Sequence, residues 1–395
     1  MPVSTITLES TNGDSVVVSA PNDEYLEDEI ILDTDPQGVY DVGFTVRTQS
    51  GAFENGGRIV GVQVPIREAT LPFWLTQESR KRFQKLWGTP GNFHKVKCTW
   101  DGPSGPRSLV LKLAKEILYT TREGFDAAID DEYHAVVSAL AVNPMYEGVE
   151  DVAEFTNPDD RFTVAVRADG GTFPLSFGGQ TATGLPWNAS TAAVKAALEG
   201  LSSVGAGKVT VTGTPATAST PSNYLVVFAA GTNGVLTSSA DDLSGTGLLG
   251  LSKSVTIDYA PNTGWFDVWN PTDQPDWLEW TFDPAKQWQF PDFSFGQERK
   301  WNRPSGADAA RMIVTPVLTQ MLSVMSDPFM DTYINADLSN AAGLFNGVEP
   351  VYMVPPYTGT EEDPVLMPVI CKGPAGRKAT LRQRRFWSAE SGLEA

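Results

Sequence analysis

The chain has 395 residues, a formal net charge of −19, 41% hydrophobic and 19% charged residues, the composition of a folded protein with room for two or three cores. It contains no run of about 20 apolar residues to cross a membrane as a helix, no cationic-then-apolar start that reads as a secretory leader, and an acid excess that repels nucleic acid over most surfaces. Cys98 and Cys371 stand far apart without Cys-x-x-Cys spacing, which predicts reduced buried thiols and no zinc site.

Thirty-six glycines and 28 prolines favour short strands and many turns, hence a mainly β protein. Between Met1 and Val46 there are ten acidic residues and no Lys or Arg, with Asp23, Glu24, Glu27, Asp28 and Glu29 the densest group. On residue chemistry alone this is a solvated acidic face. Strand-like runs follow at Thr5–Leu8, Ser15–Ser19, Gly43–Thr48 and Gly57–Pro65, each bounded by turn formers. Thr76 as N-cap, Glu78 in the first turn and Gly88 with Pro90 after the end predict a helix to Trp87, with Phe83, Leu86 and Trp87 on its apolar face. Strands are expected again at Phe93–Trp100, Ser108–Thr121 and Tyr133–Val142, completing a sandwich or split barrel over residues 1–155.

The composition then shifts. From Phe162 to Ile257 only eight residues are charged, and Thr, Gly, Ala and Ser fill much of the rest. Residues 160–258 read as an insert with strands at Arg161–Arg167, Thr172–Phe177, Lys208–Thr212, Tyr224–Ala229 and Lys253–Tyr259. A helix over Ala189–Leu201, capped by Asn188 or Ser190, packs through Val194, Leu198 and Leu201. The Asn188-Ala189-Ser190 sequon reads as this cap. The run GGTFPLSFGGQTA followed by WNASTAAVKAALEGL resembles a small α/β module of phage virion and bacterial surface proteins, where the use is adhesion or decoration.

Residues 259–395 hold the aromatic centre of the chain. Gly264–Pro304 contains six of the eleven tryptophans, interleaved with phenylalanines and cut by Pro271, Pro275, Pro284 and Pro291. Period-two alternation sets Trp265, Asp267 and Trp269 on one side and Phe266 and Val268 on the other. Six indoles in the open would make a patch of roughly 1,000 Å², against about 300–600 Å² for the largest apolar patch of a typical monomer. Most therefore belong in a core or a subunit contact, with one or two left to touch glycan. Asn270–Pro275 has tight-turn chemistry. A helical or turn-like run is expected over Ala309–Ser326, and strands at Val348–Val354 and Val365–Lys372. The end is basic: Lys372, Arg377, Lys378, Arg382, Arg384 and Arg385 without an intervening acid, a tail able to reach a neighbouring acidic surface.

No reaction signature is visible. His94 and His134 lie in strand-like runs without a nucleophile elbow, the acidic triplets Asp130–Glu132 and Glu361–Asp363 read as solvated turns, and Gly245-Thr246-Gly247 lacks the Lys-Ser or Lys-Thr of a phosphate loop. No enzyme activity and no cofactor are expected.

NPTDQPDWLEW, QFPDFSFG, and the ending LRQRRFW before Gly392-Leu393-Glu394 resemble the minor tail proteins of long-tailed actinobacterial phages, in the distal tail protein group. The resemblance covers residues 259–395 firmly and 1–155 loosely. It implies a ring-forming belt domain, a galectin-like C-terminal sandwich, and a six-fold ring at the virion tail tip between the tail tube and the host-recognition hub. DNA would pass through the ring without binding, its acidic residues lining lumen or rim, and the chain would be made in the host cytoplasm. Arg382, Arg384, Arg385, Trp387, Trp277 and Trp280 become candidates for the contact with neighbours. The alternative is an adhesion protein that holds cell-wall glycan.

Overall fold

A computed structural model describes residues 4–21, 29–52, 55–89, 91–120, 131–217, 220–245 and 252–394. The chain is mainly β, 46% strand and 8% helix, with three hydrophobic cores.

The first core forms on a ten-stranded sheet. Its main path runs Ser15–Ser19, Thr5–Ser10, Lys95–Gly102, Gly105–Leu113, Tyr133–Ala141, Arg67–Leu75, Ile30–Leu32. Alternation does the sorting: Arg67–Leu75 buries Ala69, Leu71, Phe73 and Leu75 and turns Glu68 and Trp74 outward. Helix α1, Gln77–Trp87, closes this core with Phe83, Leu86 and Trp87. Thr76 caps it by accepting from the Ser79 N–H, and Ser79 Oγ answers the Thr76 N–H at 2.8 Å. Gly88 ends it at φ 86°, and a Cβ there would sit 2.3 Å from the Asn92 carbonyl oxygen.

The second core lies between two sheets. One runs Asp151–Thr156, Lys378–Gln383, Glu279–Phe282, Leu322–Met325, Tyr333–Asn335; the other Asn262–Val268, Val365–Lys372, Gln287–Pro291, Met312–Val314. Trp280, Phe282, Trp288 and Phe290 fill the space between them, with the Phe282 and Trp288 rings 5.5 Å apart. Gly264 is required here, since a Cβ would fall 2.2 Å from the Phe155 ring.

The insert carries the third core. Helix α2, Thr191–Glu199, is capped by Ser190 and lays Val194 and Leu198 on strands that include Arg161–Arg167, Gly170–Phe177 and Ser222–Phe228. The insert is held to the second core by polar groups shielded from water. Asn157 donates to the Gly373 and Pro374 carbonyls at 2.9 Å, Asn262 donates to Asn157 Oδ1 at 2.6 Å, and Asp160 accepts from Ala375 and Gly234 N–H groups at 2.7 and 2.9 Å.

Three expectations change, and one strand lies outside them: Arg67–Leu75, with Pro72 in it, is a central strand. Ala309–Ser326, expected to be helical or turn-like, starts as turn and then forms two short strands, Met312–Val314 and Leu322–Met325, with Pro316 between them. Val348–Val354 forms no strand: Val354 makes an isolated bridge with Asp276, and the Val348 carbonyl accepts from the Tyr333 hydroxyl at 2.7 Å. The first sheet ends at Tyr146–Glu147, so Asp151–Thr156 belongs to the second core and pairs with Lys378–Gln383.

Candidate interaction surfaces

The basic end is no free arm. Lys378–Gln383 is an interior strand, flanked by Asp151–Thr156 and Glu279–Phe282, and the cations on it and just after it meet acids on or beside those strands. Lys378 pairs with Glu154 at 2.8 Å, Arg382 with Glu150 at 3.3 Å, and Arg384 with Glu279 at 2.8 Å. Arg382 and Arg384 remain half exposed, so these pairs contribute little each.

Arg385 is different. It is 7% exposed, donates to the Trp269 carbonyl oxygen at 2.6 Å, lies 3.3 Å from Asp276 Oδ2 and stacks over the Trp269 ring. Asp276 is 1% exposed. Burial outweighs pairing for both partners: it pushes the Asp276 carboxyl up to about 7 and lowers the Arg385 guanidinium.

Beyond Arg385 the chain returns to the first core. Phe386–Trp387 pairs with Tyr146–Glu147, and Arg107 stacks 3.7 Å from the Trp387 ring centre. Arg107 also donates to the carbonyls of Ala389 and Gly392 and pairs with Glu394. Arg67, buried, donates to the carbonyls of Val39 and Ser388 at 3.0 and 2.6 Å. From the other side, Asp273 accepts the Ser388 N–H at 3.1 Å. Residues 385–394 thus form a clasp between the first and second cores.

Of the six candidate contact residues, Trp280, Arg385 and Trp387 are buried inside the chain, Trp277 is half-buried, and Arg382 and Arg384 face solvent partly. Of the acidic group, Glu29 is exposed, while Asp23, Glu24, Glu27 and Asp28 lie outside the described residues. The tryptophan stretch divides: Trp280 and Trp288 are core, Trp269 and Trp277 half-buried, Trp265 and Trp301 exposed. Asn270 forms the expected turn, accepting the Thr272 N–H at 3.1 Å and donating to the Gln274 carbonyl at 2.8 Å. Cys98 and Cys371 are buried free thiols.

His134 has a carboxylate and a hydroxyl beside it: Nε2 is 3.2 Å from Asp33 Oδ2 and Nδ1 is 3.4 Å from Thr120 Oγ1. Thr120 and His134 are directly opposed across paired strands, so their contact is a cross-strand pair. His94 meets Ser10 Oγ at 3.2 Å. Among the described residues no three His, Cys, Asp or Glu side chains are grouped to hold a metal. A cleft of about 700 Å³ opens between α1 and residues 113–119, walled by Phe93, Leu113, Ile117 and Tyr119, with Lys115 and Glu116 its charged lining.

Sequence reasoning missed the hairpin of Thr45–Gln49 and Arg58–Gln63 as a surface, though it predicted both strands. These strands pair only with each other. Phe44, Val46, Ile59, Val60, Val62, Val64 and Ile66 are all exposed, Ile59 at 69%. The available signal was apolar residues on both faces of a two-stranded unit.

Asp276 makes stability depend on pH. Its folded value of about 7 lies above the ordinary 3.8, so between these values the folded chain holds one more proton than the unfolded chain. This contribution is fully present below pH 4 and is lost as pH rises through 7, at up to about 1.4 kcal/mol per pH unit. Denaturant titrations from pH 5 to 8 should show that slope in the parent and a flatter one in Asp276→Asn; equal slopes would refute the assignment.

No protein-family model matches the chain, and no curated protein matches it. Among solved structures it aligns with the SPP1 Dit protein, described as a paradigm of the hub adsorption apparatus in phages infecting Gram-positive bacteria. That alignment covers 96% of this chain and 98% of the other at 8% identity and TM-score 0.45. It also aligns with chains of the phage P2 baseplate in its activated conformation, with Ca and with Sr. Each alignment covers 97% of this chain and 98% of the other at 9% identity, with TM-scores of 0.37 and 0.38.

Proposed function

We propose that this chain is a structural protein of a phage tail tip, one copy of a ring joining the tail tube to the host-recognition hub, and not an enzyme. The observation that carries the reading is the uncovered hairpin. A two-stranded hairpin is marginal in water by itself, and this one displays seven apolar side chains on its strands and flanks. It is also cationic. Arg47 and Arg58 outnumber the single acid, Glu54, in residues 44–66, on a chain of net charge −19. An apolar, cationic projection fits the acidic surface of a second copy. Because hairpin and receiving surface are different patches, the contact is heterologous and repeats until it closes a ring. The resemblance of residues 259–395 to distal tail proteins supports the same reading and supplies the six-fold symmetry. In such a ring the acidic group around Glu29 would line the lumen or rim and let DNA slide past.

Electron microscopy of the purified chain tests this. Annular particles with a central channel are the expected result; uniformly single-copy particles would refute it.

A further inference from the structure

One sheet of the second core has an outward face unlike the rest of this acidic surface. On Asn262–Val268 the outward residues are Thr263, Trp265 and Asp267. Trp265 is 60% exposed, Leu366 on the neighbouring strand 57%, and Val314 at the far edge 47%. Register places Trp265 opposite Pro368, Thr263 opposite Ile370, Ile370 opposite Gln289, and Gln287 opposite Lys372. Gln289 is in turn opposite Val314. Asp267 and Lys372 are the only charged strand residues on this face, and they balance. Among the described residues no side-chain hydrogen bond ties down Trp265, Gln287 or Gln289.

The area selects the occupant. Four strands about 4.8 Å apart, three to eight residues long at about 3.4 Å each, present a face on the order of 400 Å². A specific protein interface needs about 800 Å² from each partner. The face is too small for a stable protein contact and well sized for one or two sugar rings. Its balance of charge on a chain of −19 favours a neutral ligand over an anion, which the surrounding acids would repel, or a cation, which they would draw elsewhere.

We propose that this face is a binding platform for a neutral glycan. The C–H face of one pyranose ring lies flat on the Trp265 indole, whose apolar area it covers. The Gln289 amide, two strands across and one pair along at about 12 Å, donates and accepts, which suits hydroxyls on the adjoining sugar, and the Gln287 amide lies one pair further on. Ile370 and Pro368 form the floor between them. This is a function additional to the ring and does not depend on it.

Affinity electrophoresis of the full chain through gels containing dextran, galactan or hydroxyethyl cellulose tests the site. At least one polymer should retard the parent. Trp265→Ala should weaken that retardation at least tenfold and Gln289→Ala several-fold, while Trp301→Ala, at the other exposed indole of the stretch, leaves it unchanged. All three variants should melt as the parent does, since the altered side chains lie at the surface. No retardation by any of the three polymers would overturn the proposal, as would retardation that Trp265→Ala leaves intact. Shielding of Trp265 from acrylamide quenching on self-association without polysaccharide would likewise overturn it, by showing a protein contact there.

Discussion

Arg385→Met should lower the stability of the chain by about 3–5 kcal/mol at pH 8, the usual cost of removing one partner of a buried ion pair. The substitution keeps most of the side-chain volume but leaves Asp276, 1% exposed, without its cation and strips the Trp269 carbonyl oxygen of its donor. The loss should shrink toward pH 5, where Asp276 is protonated and needs no counter-charge. Adding Asp276→Asn to Arg385→Met should recover part of the stability at pH 8, because the orphaned charge is gone. Urea unfolding at the two pH values measures all of this. An Arg385→Met chain as stable as the parent at both would mean that the clasp contributes nothing.

The second large effect concerns assembly. Ile59→Asp with Val62→Asp adds two carboxylates to a hairpin whose charged residues are Arg47, Arg58 and Glu54, turning its net charge from positive to negative. It reverses both properties that suit the hairpin to an acidic neighbour. Self-association should weaken by at least a hundredfold, about 2.7 kcal/mol, while the melting temperature of the single copy holds, since neither residue enters the first core. Analytical ultracentrifugation over a concentration series reads the change. Unaltered association would assign assembly to another surface.

Local physics was legible in the sequence. Thr76 and Gly88 bracket α1 because capping is settled within a few residues, and Asn270 announces its turn because the groups it satisfies are two and four positions away. The Phe266 and Val268 side of the Asn262–Val268 strand was readable for the same reason. Non-local pairing was not. Arg382, Arg384 and Arg385 looked unpaired because their acids, Glu150, Glu279 and Asp276, lie more than 100 residues earlier and are brought beside them by the strands that flank Lys378–Gln383. Arg67–Leu75 was not among the expected strands; its Pro72 lacks an N–H but still offers its carbonyl, which accepts from the Asp33 N–H at 2.9 Å. Trp265 and Trp280 are the same residue type fifteen positions apart, one in water and one in the core, and only the stacking of two sheets separates them.

The hairpin reading commits the chain to company. Native mass spectrometry of the purified parent, sprayed over a range of concentrations from volatile buffer near neutral pH, reads this most directly. A single closed species at six times 42.7 kDa is the predicted result, and a 42.7 kDa species persisting alone at the highest concentration would contradict it.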